Sequence, residues 1–227
     1  MKKYELLKDD TKTVFGRTLY RIKALRDFGN VEKGDLGGYI ESENNLSHYG
    51  NAMVCDDARV YGNAMVCGNA MVCDNAMVCD NARVFGNATV YGNARVWGNA
   101  TVYGNARVWG NARVWGNARV CGNARVFGNA EVFDDAEVFD DAMVFGNAEV
   151  CGDAVIKSTE DYIVFKNNWS SGRYFTYTKS NKMWKVGCFY GTGQELIEKA
   201  YADGELSGKC YEAYVKFVEQ LENIQIK

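Results

Sequence analysis

The chain has 227 residues, room for one or two ordinary domains, with 24 glycines and no proline. Its formal charge of −3 gives no global attraction to nucleic acid or to an anionic membrane surface. No run approaches the roughly 20 apolar residues of a membrane span, and the opening residues lack the apolar core of a signal peptide. The expected compartment is therefore the cytoplasm, and the eight cysteines are expected to be free thiols.

In chain order, residues 1–45 read as an N-terminal β cap. Residues 4–8 and 18–25 are candidate strands of a hairpin turning at Gly16-Arg17, with Tyr20, Ile22 and Ala24 on one face. Residues 46–157 form the repeat region. Its first unit, Leu46-Ser47-His48-Tyr49-Gly50-Asn51, is imperfect, and places His48 in phase with the later valines. From Ala52 a six-residue unit, Ala-x-Val-x-Gly-Asn, runs without insertion to Lys157. Alanine fills the first position of all eighteen units, and valine the third in seventeen, with Ile156 in the last. Ala-x-Val-x alternates with period two, so Ala and Val share one face of a short strand. Gly-Asn tolerates positive φ and reads as a corner. A four-residue strand is too short for hairpin arrays, which favour five to six residues. Stacking every third strand solves this: three units make one triangular coil, and about six coils give a prism on the order of 29 Å long at ~4.8 Å per coil.

Residues 158–227 break the pattern. Segments 162–165, 173–178 and 183–190 read as a three-stranded meander. Thr192 and Glu195 have capping-box spacing and open a helix with Leu196, Ile197, Ala200 and Tyr201 inward. Ser207 is the expected cap of a second helix, whose Tyr211, Tyr214, Val215, Val218 and Leu221 keep helical spacing. The fold class is mainly β: a three-sided parallel β-helix with an N-terminal β cap and a small C-terminal α+β domain.

Function has to lie in the second and fourth positions of the unit, since the others are scaffold. Residues 18 apart stack. The first face carries Met53, Met71, Thr89, Arg107, Arg125 and Met143, beside Cys55, Cys73, Tyr91, Trp109, Phe127 and Phe145. The second carries Arg59, Met77, Arg95, Arg113, Glu131 and Glu149, beside Tyr61, Cys79, Trp97, Trp115, Phe133 and Cys151. The third carries Met65, Arg83, Thr101, Arg119, Glu137 and Val155, beside Cys67, Phe85, Tyr103, Cys121, Phe139 and Lys157. The prism is zoned: Met and Cys first, then Arg with Trp or Tyr, then Glu with Phe. Arg113–Glu131 and Arg119–Glu137 are placed to pair. Two readings of the aromatic columns stand: ring stacking with arginine in cation–π contact, or a surface buried by self-association or a partner.

The unit resembles the hexapeptide repeat of left-handed β-helix proteins, and that resemblance supplies the left hand. The whole chain, with Gly34-Asp35-Leu36-Gly37-Gly38-Tyr39-Ile40 and its last 60 residues, resembles uncharacterised hexapeptide-repeat proteins of phages and prophages. The resemblance implies a homo-oligomer, a trimer ahead of a dimer, and a bacterial host cytoplasm, with interference in host defence as one setting. It also brings an enzymatic alternative, because many relatives are acyltransferases with a histidine base at a subunit boundary. The one histidine here, His48, is expected to be structural, and no loop interrupts the coils.

Other chemistry is sparse. Only Cys55 and Cys73 stack on one face, short of four convergent ligands, so neither a metal nor another cofactor is expected. An arginine belt argues against mimicry of nucleic acid, and nucleic acid is not an expected partner. The expected function is non-catalytic binding or assembly, with a protein or a small anionic ligand as partner. The binding residues are Arg95, Trp97, Arg113 and Trp115, where two Arg-x-Trp strands stack, together with Arg107 and Trp109.

Overall fold

Each unit supplies one short strand and one corner, as the period demands. The computed structural model describes residues 2–224. It opens with β1 (Tyr4–Val14), β2 (Arg17–Ala24) and β3 (Leu36–Ile40). Eighteen two-residue strands follow, from β4 (Met53–Val54) to β21 (Val155–Ile156). The chain ends in β22 (Tyr162–Lys166), β23 (Tyr174–Thr178), β24 (Met183–Val186), β25 (Phe189–Gly191), α1 (Gly193–Asp203) and α2 (Glu205–Asn223). The repeat strands pair in parallel with the strand three units on, giving three sheets around one axis. β3 also pairs in parallel, Tyr39 with Arg59 and Ile40 with Val60. This adds a turn ahead of the eighteen units and brings the solenoid to about seven. Every repeat Ala, Val and Ile156 is fully buried, so the interior is a dry stack of small and branched side chains.

The corners divide their labour more finely than the sequence suggests. The fifth position takes the left-handed conformation: Gly98 has φ 68°, and a Cβ there would sit 3.0 Å from the Gly116 nitrogen. Asp56, Asp74, Asp80, Asp134 and Asp140 adopt the same region with φ of 54–60°. The carboxylates of Asp56, Asp74, Asp80 and Asp134 gain a partner one coil on, as Asp74 accepts from the Gly92 N–H at 2.8 Å. The sixth-position asparagines do not take positive φ, contrary to expectation. They form amide ladders instead: Asn81 donates to Asn99 at 3.0 Å, Asn99 to Asn117 at 3.0 Å, and Asn117 to Asp135 at 2.9 Å.

Both ends of the prism are closed, and with opposite chemistry. At the leading end free carbonyls meet donors. The buried Lys3 Nζ donates to Ala52 O at 2.6 Å, and Asn45 donates to Gly62 O and Ala64 O at 3.0 and 2.9 Å. At the trailing end free N–H groups meet hydroxyls. Thr176 Oγ1 accepts from Glu149 at 2.9 Å, Ser180 Oγ from Val155 at 2.8 Å, and Tyr162 Oη from Phe145 at 3.4 Å. These side chains do for the sheet ends what covering elements do for exposed edge strands elsewhere.

The N-terminal hairpin is longer than the sequence suggests. β1 passes through a register shift between Leu7 and Thr11, which lets Lys8-Asp9-Asp10 bulge out of register without ending the strand. The turn sits at Phe15-Gly16, both at positive φ (48° and 77°), one residue before the expected place. β2 pairs antiparallel with β3, so the hairpin continues the second face of the solenoid. His48 leaves the expected inward column, because Leu46 pairs with Val66 and fills that place. Its ring stacks on Tyr4 at 4.4 Å, and Nδ1 accepts the Lys3 N–H at 3.2 Å.

In the C-terminal region the third expected strand is two, folded at Gly187, and β22–β25 form an antiparallel sheet. Thr192 and Glu195 cap α1 reciprocally, at 3.3 and 2.8 Å. Ser207 does not cap the second helix. Gly204, at φ 150° and ψ 150°, breaks the chain between the helices, and α2 starts two residues before Ser207. Leu196, Ala200, Tyr211, Val215 and Val218 pack on Phe175, Tyr177 and Trp184 as one core. Tyr201 is not inward: it lies across Gly208 and donates to Glu212 at 2.6 Å. Leu221 is 39% exposed. Among the described residues no helix is long and apolar enough to cross a membrane.

Candidate functional site

The second face is covered at both ends and open in the middle. At its leading end Leu19, from the hairpin, and Tyr39 bury against Tyr61 and Cys79, with Val14, Met77 and Trp97 at the margin. The Tyr61 hydroxyl donates to Met77 Sδ at 3.1 Å. Burial, with the Cys79 thiol alongside, raises the Tyr61 pKa above the usual phenol range, and burial raises that of Cys79 as well. At the trailing end Lys185 lies 5.6 Å from the Phe133 ring centre and 3.9 Å from Glu149. Burial raises the Glu149 carboxyl, with Lys185 opposing it, and pushes the Cys151 thiol up to about 12. The Tyr190 hydroxyl lies over Gly152.

Between these covers lie Arg95, Trp97, Arg113 and Trp115. The in-register pairing of Arg95 with Arg113 puts both guanidiniums on the outer side, and both residues are exposed. The indoles of Trp97 and Trp115 stack at 4.9 Å with 7° between planes, and Trp115 stacks in turn on Phe133 at 4.3 Å. Arg113 donates to Glu131 at 2.9 Å, the pairing expected from the sequence. Arg119 likewise reaches Glu137 at 2.9 Å and the Tyr103 hydroxyl at 2.8 Å. Among the described residues Arg95 has no ion-pair partner within 4.0 Å.

Arg107 and Trp109 are on a different side. They belong to the first face, where Trp109 stacks on Tyr91 at 5.7 Å and on Phe127 at 4.5 Å. The six expected residues are thus a cluster of four and a separate pair. The expected cation–π contacts hold for Arg83 over Phe85 at 5.5 Å and Arg119 over Tyr103 at 5.8 Å. The Arg-x-Trp strands show no such contact, so their arginines are held off their own rings.

The cysteines depart from expectation at one place. Cys55 and Cys73, one coil apart on the first face, are joined as a disulfide with Cα atoms 4.7 Å apart. The other six are free thiols. The Asp56 carboxylate gathers at the same spot, within 4.8 Å of both sulfurs. Sequence stacking placed the two cysteines together, but no spacing rule places Asp56 beside them, because corner residues follow the turn and not the strand alternation.

A parallel β-solenoid of short repeats, with its ends capped and one face partly covered, is the class of protein that this fold defines. A family described as the YdcK beta-solenoid repeat has a model that matches residues 58–74, 72–92, 82–98, 90–104, 94–108 and 118–132. The chain is similar to that family along the coils bearing Arg95, Trp97 and Arg107, while Arg113 and Trp115 fall between the matched stretches. No curated protein matches the chain.

Proposed function

We propose that the chain is a non-catalytic binding protein whose second face receives an anionic partner through Arg95, Trp97, Arg113 and Trp115. The observation that carries this reading is the window between the two covers. There an unpaired guanidinium stands beside a flat pair of indoles, on a face otherwise roofed by the hairpin and the C-terminal sheet. Arginine offers forked hydrogen bonds to phosphate or carboxylate, and the indole pair offers a stacking surface, so a nucleotide-like or acidic aromatic ligand suits both. The resemblance to phage and prophage proteins adds the setting of this proposal: a bacterial host cytoplasm, with host defence as the target process.

The test is quenching of tryptophan fluorescence during titration with ATP, NAD and an acidic aromatic peptide, for the wild type and for an Arg95→Glu/Arg113→Glu variant. Saturable quenching that the variant loses, with its circular dichroism unchanged, supports the reading. Binding of equal strength in the variant rejects this patch. Self-association belongs to the same proposal, and light scattering should then give a mass above the 25.3 kDa of one chain. The acyltransferase alternative would need His48 as its base. That ring is engaged by Lys3 at Nδ1 and lies 3.4 Å from Glu43 at Nε2, which leaves it poorly placed for proton transfer to a substrate.

A further inference from the structure

Four units read Ala-Met-Val-Cys: those ending at Cys55, Cys67, Cys73 and Cys79. Three-sided winding stacks only two of them directly, Met53 on Met71 and Val54 on Val72, which sets Cys55 beside Cys73. Cys67 and Cys79 instead precede Phe85 and Trp97 in their columns and meet no second thiol. The sulfur pair is held by the sheet: Cys55 N–H donates to Val72 O at 2.9 Å and Cys73 N–H to Val90 O at 3.0 Å. Opening the disulfide therefore leaves both thiols side by side on an unmoved backbone. Asp56 brings a carboxylate to the same point, and its Oδ2 is oriented by the Asp74 N–H at 3.3 Å.

We propose that, in the reduced protein, Cys55, Cys73 and Asp56 bind a thiophilic divalent cation of the zinc and cadmium class. Two thiolates and a carboxylate are a donor set that such ions accept, with a fourth position left for water or an added ligand. Cys73 borders an open groove of about 670 Å³, also lined by Met71, Asp74, Thr89, Tyr91 and Arg107, through which water or an added ligand can reach its sulfur. Once both thiols are deprotonated, three negative donors at this spot repel one another, and a dication removes that repulsion. The loading steps balance. Two equivalents of a small thiol reduce the disulfide and leave as their own disulfide, and the metal ion then displaces one proton from each cysteine.

The experiment titrates the full-length reduced chain with Cd²⁺ and follows the thiolate-to-cadmium charge-transfer band, with Zn²⁺ measured by competition against a chromophoric chelator. One equivalent should bind. Cys55→Ser and Cys73→Ser should each abolish the band, and Asp56→Asn should weaken binding by about tenfold or more. Cys67→Ser and Cys79→Ser should change nothing. Cys55, Asp56, Cys67 and Cys73 face outward or lie at a corner, Cys79 lies under the leading cover, and circular dichroism checks that each variant folds. A band that persists in the Cys55→Ser/Cys73→Ser double variant, or its absence from the reduced wild type, overturns the proposal. So does equally tight binding by the oxidised protein.

Discussion

Trp97 and Trp115 lie a full coil apart in sequence, yet their rings stack at 4.9 Å and nearly parallel. No other pair of tryptophans stacks among the described residues, so this contact has its own optical signature. Trp115→Ala removes stacks on both sides, with Trp97 and with Phe133. It should lower stability by about 1–3 kcal/mol at ~0.5–1.5 kcal/mol per aromatic pair. It should also alter the aromatic bands of the near-ultraviolet circular dichroism, and an unchanged spectrum would show that the Trp115 ring is not held in an ordered stack.

Val102 tests the register of the whole prism. It is fully buried and pairs in register with Val84 and Val120. Val102→Asp would leave a charge in that dry interior without a partner, at a cost of several kcal/mol. The expected result is a chain unfolded or melting far below the wild type. An unchanged Tm would mean that the side chain faces water and that the register is wrong.

Lys3 makes stability depend on pH in the alkaline range. Burial at the leading end, with Arg26 adding to it, lowers its pKa from 10.5 to about 8. Between those values the unfolded chain holds a proton at Lys3 that the folded chain has released, so stability rises with pH. The gain, counted at ~1.4 kcal/mol per pKa unit, is at most about 3 kcal/mol. Burial raises the thiols of Cys79 and Cys151, which act in the opposite sense above about pH 9, and the phenols of Tyr4 and Tyr177, which do so above pH 10. The useful measurement is therefore the denaturant midpoint from pH 8 to 9, compared with Lys3→Met. The rise should vanish in the variant; an identical slope in both proteins would exclude Lys3 as its source.

The trailing end tests how the solenoid avoids joining to itself. Thr176→Val together with Ser180→Ala strips the hydroxyls from the Glu149 and Val155 N–H groups. Each orphaned donor costs about 1–3 kcal/mol where water cannot reach it. We expect a lower Tm and a mass that grows with concentration, measured by light scattering. A variant identical to wild type in both would show that the C-terminal domain blocks this end by bulk alone.

The solenoid was legible because its information is local: a strict period fixes strand, corner, inward face and the neighbour one coil away. That local rule predicted the Arg113–Glu131 pair and the stack of Trp97 on Trp115. It could not show that β1 runs on past Asp9-Asp10, because the register shift that rescues it depends on pairing with β2. The partial roof over the second face, which turns an aromatic column into a window, was invisible for the same reason. The asparagine ladders were misread because one residue type suits two tasks. Positive φ and amide stacking both favour Asn at a corner, and only the backbone angles separate them. The meeting of Asp56 with Cys55 and Cys73 depends on how a corner side chain bends back over its strand, which no periodicity encodes.

The height of that window is a quantised property. Each unit is one side of a three-sided prism, so inserting a single unit between Trp115 and Tyr162 would swing the C-terminal domain a third of a turn, onto the next face. Inserting three would return it to the same azimuth and open the gap by one rung, ~4.8 Å. Duplication of repeats can therefore alter how large a partner fits without altering one residue that touches it.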